Sequence, residues 1–201
     1  MYKTLSILET ICYNVNAFCA VQYAPTVLAF RKIILMKALW ANYFGGGFVL
    51  ENQFAEKVAK LWKKFGTHSI MVFATGSENR ISSRPISIIT YDKQFYCQTD
   101  ERYLKYKQVT ENPNVALSCK NLSIEGKCHV IGHPLEKGNS FFAERFKKHF
   151  PHSYKSYSAL PTEKLLEITP TLIYSWAYRL LTPYMEYFDL EEQTYRIEKM
   201  D

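Results

Sequence analysis

The sequence lacks the signatures of several large protein classes. None of its five cysteines lies in a CxxC pair or a similar zinc-binding pattern, so we interpret them as reduced thiols of a cytoplasmic protein. It has no glycine-rich dinucleotide loop and no regular alternation of strands with helices, which argues against a doubly wound α/β fold. The apolar run 27–35 is interrupted by Arg31 and Lys32 and is too short to span a bilayer, so no membrane partner is expected.

Clustered positive charge is also missing, although the formal net charge is +6. Many of the lysines fall beside apolar helical positions, where charges usually form a solvated helix face. No basic stripe with stacking aromatic residues is present, so nucleic acid is not expected as a partner. His129 and His133 are four positions apart, but the predicted strand ends at Gly132, and we therefore expect no metal site.

Residues 1–49 differ from the rest of the chain because they show no clear hydrophobic period. Three consecutive glycine codons, at 45–47, can contain a purine-rich ribosome-binding sequence, and Leu50 then corresponds to a TTG start codon of a bacterial gene. We expect translation to begin at Leu50, with 1–49 a non-native or disordered extension and 50–201 the functional domain. Without four basic residues and one acidic residue of this extension, the formal charge falls from +6 to +3.

From Leu50 onward the pattern predicts a mainly β protein, an antiparallel β-barrel with flanking helices. One amphipathic helix is predicted over 54–65, ended by Gly66, and another over 141–150, where phenylalanines recur at helical spacing. Short strands joined by tight turns such as Asp92-Lys93 are typical of a barrel. The predicted strands are 68–74, 81–91, 94–99, 115–119, 124–131, 165–168, 172–178, 184–188 and 195–197.

The segment from Arg84 to Pro113 is the most informative for function. It reads as two strands, a short polar turn and a cationic helix that stops at Asn112-Pro113. Arg84 lies on the first strand and Lys105 on the helix, with hydroxyl side chains between them. Two cations and hydroxyl groups that converge in this way can bind one phosphate group.

Several residues follow one another in the order that is found in a known family. Five of them fall in register without gaps: Thr99, Lys105, Gln108, Asn112 and Pro113. Arg84 stands where that family has a phosphate-binding strand arginine, 130–132 matches the end of its next long strand, and 169–176 matches a late strand whose tryptophan borders the flavin. In this respect the chain resembles the pyridoxamine 5'-phosphate oxidase-like FMN-binding split barrels.

The resemblance implies a split β-barrel homodimer with FMN at the subunit interface. It also implies an FMN-dependent oxidoreductase that acts on an unidentified small molecule, with a nicotinamide as a candidate electron donor. No catalytic residue is identified. The implied cofactor-binding residues, of which Lys127 would come from the other subunit, are Arg84, Pro85, Ile86, Ser87, Ile89, Gln98, Thr99, Lys105, Gln108, Lys127 and Trp176.

Three departures from the family pattern argue against the authentic vitamin B6 oxidase. Leu104 replaces the first cation of the basic pair, and Lys127 replaces a glutamine that often reaches the flavin. The segment 179–181 stands where the oxidases have an Arg-x-His substrate motif. A non-catalytic protein of the same fold, which holds flavin weakly or binds haem or another ligand, is therefore the alternative.

Some of the implied site residues also have structural alternatives. Arg84 could pair with Glu78 or Asp92 at a sheet edge, and Thr99 could cap the helix that follows. A purely structural role is the alternative for Lys105, Gln108 and Trp176.

Overall fold

The structure is a computed structural model that describes residues 51–200. The predicted extension 1–49 and the predicted start at Leu50 lie outside the described residues, so both stay predictions. Within residues 51–200, no helix has the length and apolar character needed to cross a membrane.

An antiparallel β-barrel dominates the described part of the chain, which confirms the predicted fold class. The eight strands form one sheet in the order β3-β2-β1-β4-β5-β6-β7-β8. A further pairing of β3 with β6 closes six of them into a barrel, and β7 and β8 extend the sheet beyond it. The strands are β1 His68–Ser77, β2 Arg80–Tyr91, β3 Gln94–Asp100, β4 Asn114–Cys119, β5 Leu122–Val130, β6 Glu163–Arg179, β7 Thr182–Asp189 and β8 Thr194–Lys199.

Within residues 51–200, four α-helices flank the barrel. The first, α1, ends at Phe65 because Gly66 adopts a left-handed conformation with φ of 65°. The side chain of Phe65 packs edge to face on Phe95 of β3, with ring centres 5.1 Å apart, so α1 covers the main apolar core. The helices are α1 Glu51–Phe65, α2 Leu104–Glu111, α3 Ser140–His149 and α4 Pro151–Tyr157.

The prediction of separate strands over 165–168 and 172–178 was wrong, because both belong to β6. Pro170 has no backbone N–H to offer, yet the strand continues through it. Its partner β5 shifts register between Glu125 and Gly126 at this point, forming an irregularity that accommodates the proline. Gly126 is needed there, because a Cβ atom would lie 2.5 Å from the carbonyl oxygen of Thr169.

The barrel opens between β2 and β3, and this opening places the candidate site. The two strands leave the tight turn at Asp92-Lys93 and pair only from Tyr91↔Gln94 to Ile89↔Tyr96. Beyond that point β2 continues along β1 only, and β3 continues along β6 only. We call the resulting gap the seam. Backbone N–H and C=O groups of β2 that face the seam have no strand partner among the described residues.

Candidate functional site

A polar cavity of about 310 Å³ lies in the seam. Its walls come from β2, β3, the start of α2, the helices α3 and α4, and the first residue of β6. Because the two strands have separated here, side chains and free backbone groups of both strands face one space. The lining residues are Pro85, Ile86, Ser87, Gln98, Thr99, Asp100, Arg102, Tyr103, Lys105, Phe146, Ser153, Tyr157, Leu160 and Glu163.

More than half of the implied cofactor-binding residues line this polar cavity. They come from three separate elements, so the fold brings together what the sequence only places in order. The predicted residues in the cavity are Pro85, Ile86, Ser87, Gln98, Thr99 and Lys105.

Lys105 is the best-placed cation of the polar cavity. Its side chain is half-buried, and the ε-ammonium lies 4.7 Å from the centre of the Tyr103 ring. No carboxylate lies within ion-pair distance of it in the described part of the chain. Burial lowers the pKa of Lys105, and the nearby charge of Arg84 lowers it further. A positive charge that lacks an acidic partner in a partly dry cavity favours the binding of an anion.

The start of α2 also favours an anion. Its first turn contains no acidic residue, and the N-cap residue Tyr103 makes no capping hydrogen bond with its side chain. The alternative role for Thr99 as a helix cap is therefore not seen: the Thr99 hydroxyl donates to the carbonyl oxygen of Asp100 at 3.3 Å. Free N–H groups and the positive end of the helix dipole consequently remain at the edge of the polar cavity.

Arg84 lies on β2 next to the seam but is not part of the cavity wall. Its guanidinium donates to the carbonyl oxygen of Phe73 at 3.2 Å, to the Thr75 hydroxyl at 2.7 Å and to the Ser82 hydroxyl. All three acceptors are neutral, so no residue within 51–200 forms an ion pair with Arg84, and the alternative ion pairs with Glu78 or Asp92 do not form. Partial burial lowers the pKa of Arg84.

Gln108 fastens α2 to the barrel. Its side-chain oxygen accepts hydrogen bonds from the hydroxyls of Thr75 at 2.7 Å and Ser82 at 2.8 Å. Its amide donates to the carbonyl oxygen of Arg80 at 2.8 Å, and the side chain is 1% exposed. Gln108 therefore shares two hydroxyl partners with Arg84 and fixes the helix that carries Lys105.

Two acidic residues in the cavity wall escaped the sequence analysis. The first is Asp100, whose carboxylate accepts hydrogen bonds from Arg102, at 2.6 Å for the closest nitrogen, and from the Thr162 hydroxyl at 2.7 Å. These bonds, chiefly those from Arg102, hold the pKa of Asp100 well below its usual range. Asp100 is thus ionised and already neutralised by its own partners.

The second is Glu163, the first residue of β6, which faces Asp100 in the β3–β6 ladder. Its side chain is buried, with 4% of the residue surface exposed. Burial and the charge of Asp100 raise the pKa of Glu163 to about 7, against opposing effects of Lys105 and of a hydrogen bond with Gln98. No local pattern signals Glu163, because its place depends on the closure of the barrel by β3 and β6.

The remaining predicted residues lie elsewhere. Ile89 is fully buried in the core under α3. Lys127 lines a separate cavity of about 730 Å³, and its Nζ lies 3.7 Å from Oε1 of Glu191. Trp176 is 43% exposed near the far end of β6, and its carbonyl oxygen accepts a hydrogen bond from Asn121 at 2.7 Å. One copy of the described chain therefore does not bring Lys127 or Trp176 to the polar cavity.

Comparisons with known proteins agree with this architecture. A family model described as pyridoxamine 5'-phosphate oxidase matches residues 54–177. PhzG from Burkholderia lata, solved in complex with tetrahydrophenazine-1-carboxylic acid, is similar at 14% identity and a TM-score of 0.50, over 73% of this chain and 92% of that chain. No curated protein matches the chain significantly.

Two further solved structures are similar at lower TM-scores. A pyridoxamine 5'-phosphate oxidase-related, FMN-binding protein from Nostoc punctiforme has 14% identity and a TM-score of 0.46, over 73% of this chain and 95% of that chain. HutZ, the heme storage protein from Vibrio cholerae, has 12% identity and a TM-score of 0.46, over 57% of this chain and 89% of that chain.

Proposed function

The chain belongs to the pyridoxamine 5'-phosphate oxidase family, and from this membership we propose that it is an FMN-binding flavoprotein and a flavin-dependent oxidoreductase of a small molecule. The observation that carries the proposal is Lys105. It is a half-buried cation that forms no ion pair with any described residue, and it lies beside an uncapped helix start in a cavity between two separated strands. A phosphate monoester fits this combination of donors.

The residues of the polar cavity suit the two ends of FMN. Lys105, the hydroxyls of Ser87 and Thr99 and the free N–H groups of α2 would hold the phosphate. The backbone of 85–87, left without a strand partner in the seam, would border the ring system. When bound, FMN supplies hydride chemistry, and the chain binds, orients and tunes it. Arg84 contributes positive potential from behind the cavity wall, and Arg102 compensates the carboxylate of Asp100.

We further propose a homodimer in which each FMN lies between two copies. Lys127 and Trp176 do not line the polar cavity, so any contact of theirs with the cofactor would have to come from the partner. Exposed apolar side chains on the barrel give a second copy a surface to cover. These side chains include Ile70, Val72, Ile81 and Trp176. Sedimentation at micromolar concentration tests this: a monomer with bound FMN would exclude an interface site.

Leu104 favours a second candidate, a non-catalytic flavin holder of the same fold. It is half-buried and occupies the place of the family's first helix cation, so one charge-assisted bond to phosphate is missing. Reduced nicotinamide separates the two candidates. Loss of the visible flavin absorption under anaerobic conditions supports the oxidoreductase, whereas an unchanged spectrum over many minutes supports the flavin holder.

Titration of the cofactor-free protein with FMN and with riboflavin tests the binding proposal. The two ligands share the ring system and differ in the phosphate, so a phosphate-binding cavity predicts clearly tighter binding of FMN. Quenching of flavin fluorescence gives both dissociation constants. Equal affinities would reject the polar cavity as the phosphate site, and no binding of either ligand would reject the flavoprotein proposal.

A further inference from the structure

Glu163 is an unexpected neighbour for a phosphate. Its carboxyl is buried in the wall of the same polar cavity that contains Lys105. Asp100 faces it across the β3–β6 ladder, and its hydrogen-bonding neighbour on β3 is Gln98. The side-chain oxygen of Gln98 accepts a hydrogen bond from the Ser158 hydroxyl at 2.7 Å. The side-chain NH2 group of Gln98 is therefore the donor in its hydrogen bond with the Glu163 carboxyl.

Glu163 is the acidic residue of the cavity wall whose charge changes near neutral pH. Arg102 neutralises the charge of Asp100, which also accepts a hydrogen bond from Thr162. Lys105 is the only cation near Glu163 without an acidic partner of its own among the described residues. Tyr103, Tyr157 and the fully buried Cys97 complete its titratable surroundings. Burial raises the pKa of the Cys97 thiol well above its usual value, which keeps it neutral.

We propose that binding of a phosphate monoester in the polar cavity is coupled to protonation of Glu163, so that this carboxyl makes retention of the cofactor pH-dependent. The inference rests on the proposed flavin function and adds a mode of regulation to the same site. With Glu163 ionised, its negative charge partly offsets the charge of Lys105 and repels the incoming dianion across a cavity that screens charges poorly. With Glu163 protonated, both effects disappear and the carboxyl becomes a hydrogen-bond donor.

The direction of the pH dependence distinguishes this mechanism from the titration of the ligand itself. The second pKa of a phosphate monoester is about 6, so the dianion, which binds best, becomes more abundant as the pH rises through that value. The titration of Glu163 acts in the opposite direction, because the carboxyl loses its proton as pH rises through about 7. A decrease of FMN affinity above neutral pH would therefore come from a group of the protein and not from the phosphate.

The experiment measures the dissociation constant of FMN between about pH 6 and about pH 8.5 by fluorescence quenching, for the wild type and for Glu163→Gln. For the wild type we expect the dissociation constant to rise above neutral pH, with a limit of about tenfold per pH unit for one obligatory proton. For Glu163→Gln we expect a constant value over the upper range and tighter binding than the wild type at the highest pH. Glu167→Gln, on the same strand but outside the cavity wall, is the matched control and should follow the wild type.

A second measurement uses the wild type alone and does not depend on the folding of a variant. Calorimetric titration with FMN at about pH 7.5, in buffers of different ionisation enthalpy, reports the protons exchanged on binding. We expect net uptake; release or no exchange would overturn the inference. Parallel pH profiles of the wild type and Glu163→Gln would also overturn it, and FMN binding would then stand as a function without this regulation. Failure of FMN to bind at every pH would reject both proposals.

Discussion

At the scale of single residues, we expect the proposed phosphate affinity to depend most on the charge of Lys105. We expect Lys105→Gln to weaken FMN binding by about 1.5–3 kcal/mol, or roughly ten- to hundredfold, since a charge-assisted bond in a half-buried site is lost. Riboflavin affinity should hardly change, because riboflavin carries no phosphate. Fluorescence titration of both ligands measures the difference.

Lys107→Gln provides the control, because Lys107 lies on the same helix but is exposed and outside the cavity wall. It should bind FMN as the wild type does. Equal losses for the two variants would mean that the general positive charge of α2 attracts the ligand, and the specific role of Lys105 would have to be abandoned.

Some residues of the candidate site could be predicted from the sequence, and others could not, for a physical reason. Lys105, Thr99 and Ser87 belong to one continuous segment, so their order along two strands and a helix was enough to group them, and the structure brings them to one polar cavity. Glu163 enters the site through a strand pairing between distant parts of the chain, and such pairings leave no local pattern. The hydrogen bonds that turn the Arg84 guanidinium towards neighbouring hydroxyls depend on rotamers, which a sequence does not reveal.

At the scale of elements, the buried Gln108 and Val109 hold α2 against the barrel, and Gln108 does so by hydrogen bonds. We expect Gln108→Leu to lower the free energy of unfolding by about 1–3 kcal/mol, because the carbonyl oxygen of Arg80 loses its donor and the buried hydroxyl of Thr75 loses its acceptor. Lys107→Leu introduces leucine at the neighbouring position, which is exposed, and it should change the free energy of unfolding little. Urea unfolding of both variants measures the effect; equal midpoints would show that Gln108 does not anchor the helix.

The irregularity between β5 and β6 gives a second prediction at this scale. We expect Gly126→Ala to reduce the free energy of unfolding by about 1–3 kcal/mol, since its Cβ would meet the backbone of Thr169 and force the strands apart. Gly138→Ala is the control, because no atom lies within 4 Å of the added Cβ. Thermal unfolding compares the two; an unaffected Gly126→Ala would mean that the strands adapt without cost.

Helix α1 and strand β6 differ in how well the sequence predicted them. The end of α1 at Phe65 followed from apolar spacing and a terminal glycine, which are local signals, whereas its start lies three residues before the predicted position 54. The continuity of β6 through Pro170 was missed because proline normally breaks a ladder, and only the register shift opposite it makes the strand possible.

At the scale of the whole molecule, the described barrel and its helices form a compact unit with its own hydrophobic core. The predicted domain 50–201 should therefore fold when it is produced alone and should bind FMN with the affinity of the full chain. Thermal unfolding and flavin titration of this fragment, next to the full-length chain, check the prediction. A fragment that fails to fold or loses FMN would show that residues 1–49 belong to the functional protein.

The seam has a further consequence, which concerns self-association. A strand edge with unpaired backbone groups is a template for the addition of a strand from another chain, and such additions lead to aggregates. Pro85 lies in the open part of β2, opposite Val72 of β1, and contributes no N–H to an incoming strand. Arg84 adds a charge next to it. The edge of β2 that borders the polar cavity is in this way protected against the addition of a strand from another chain.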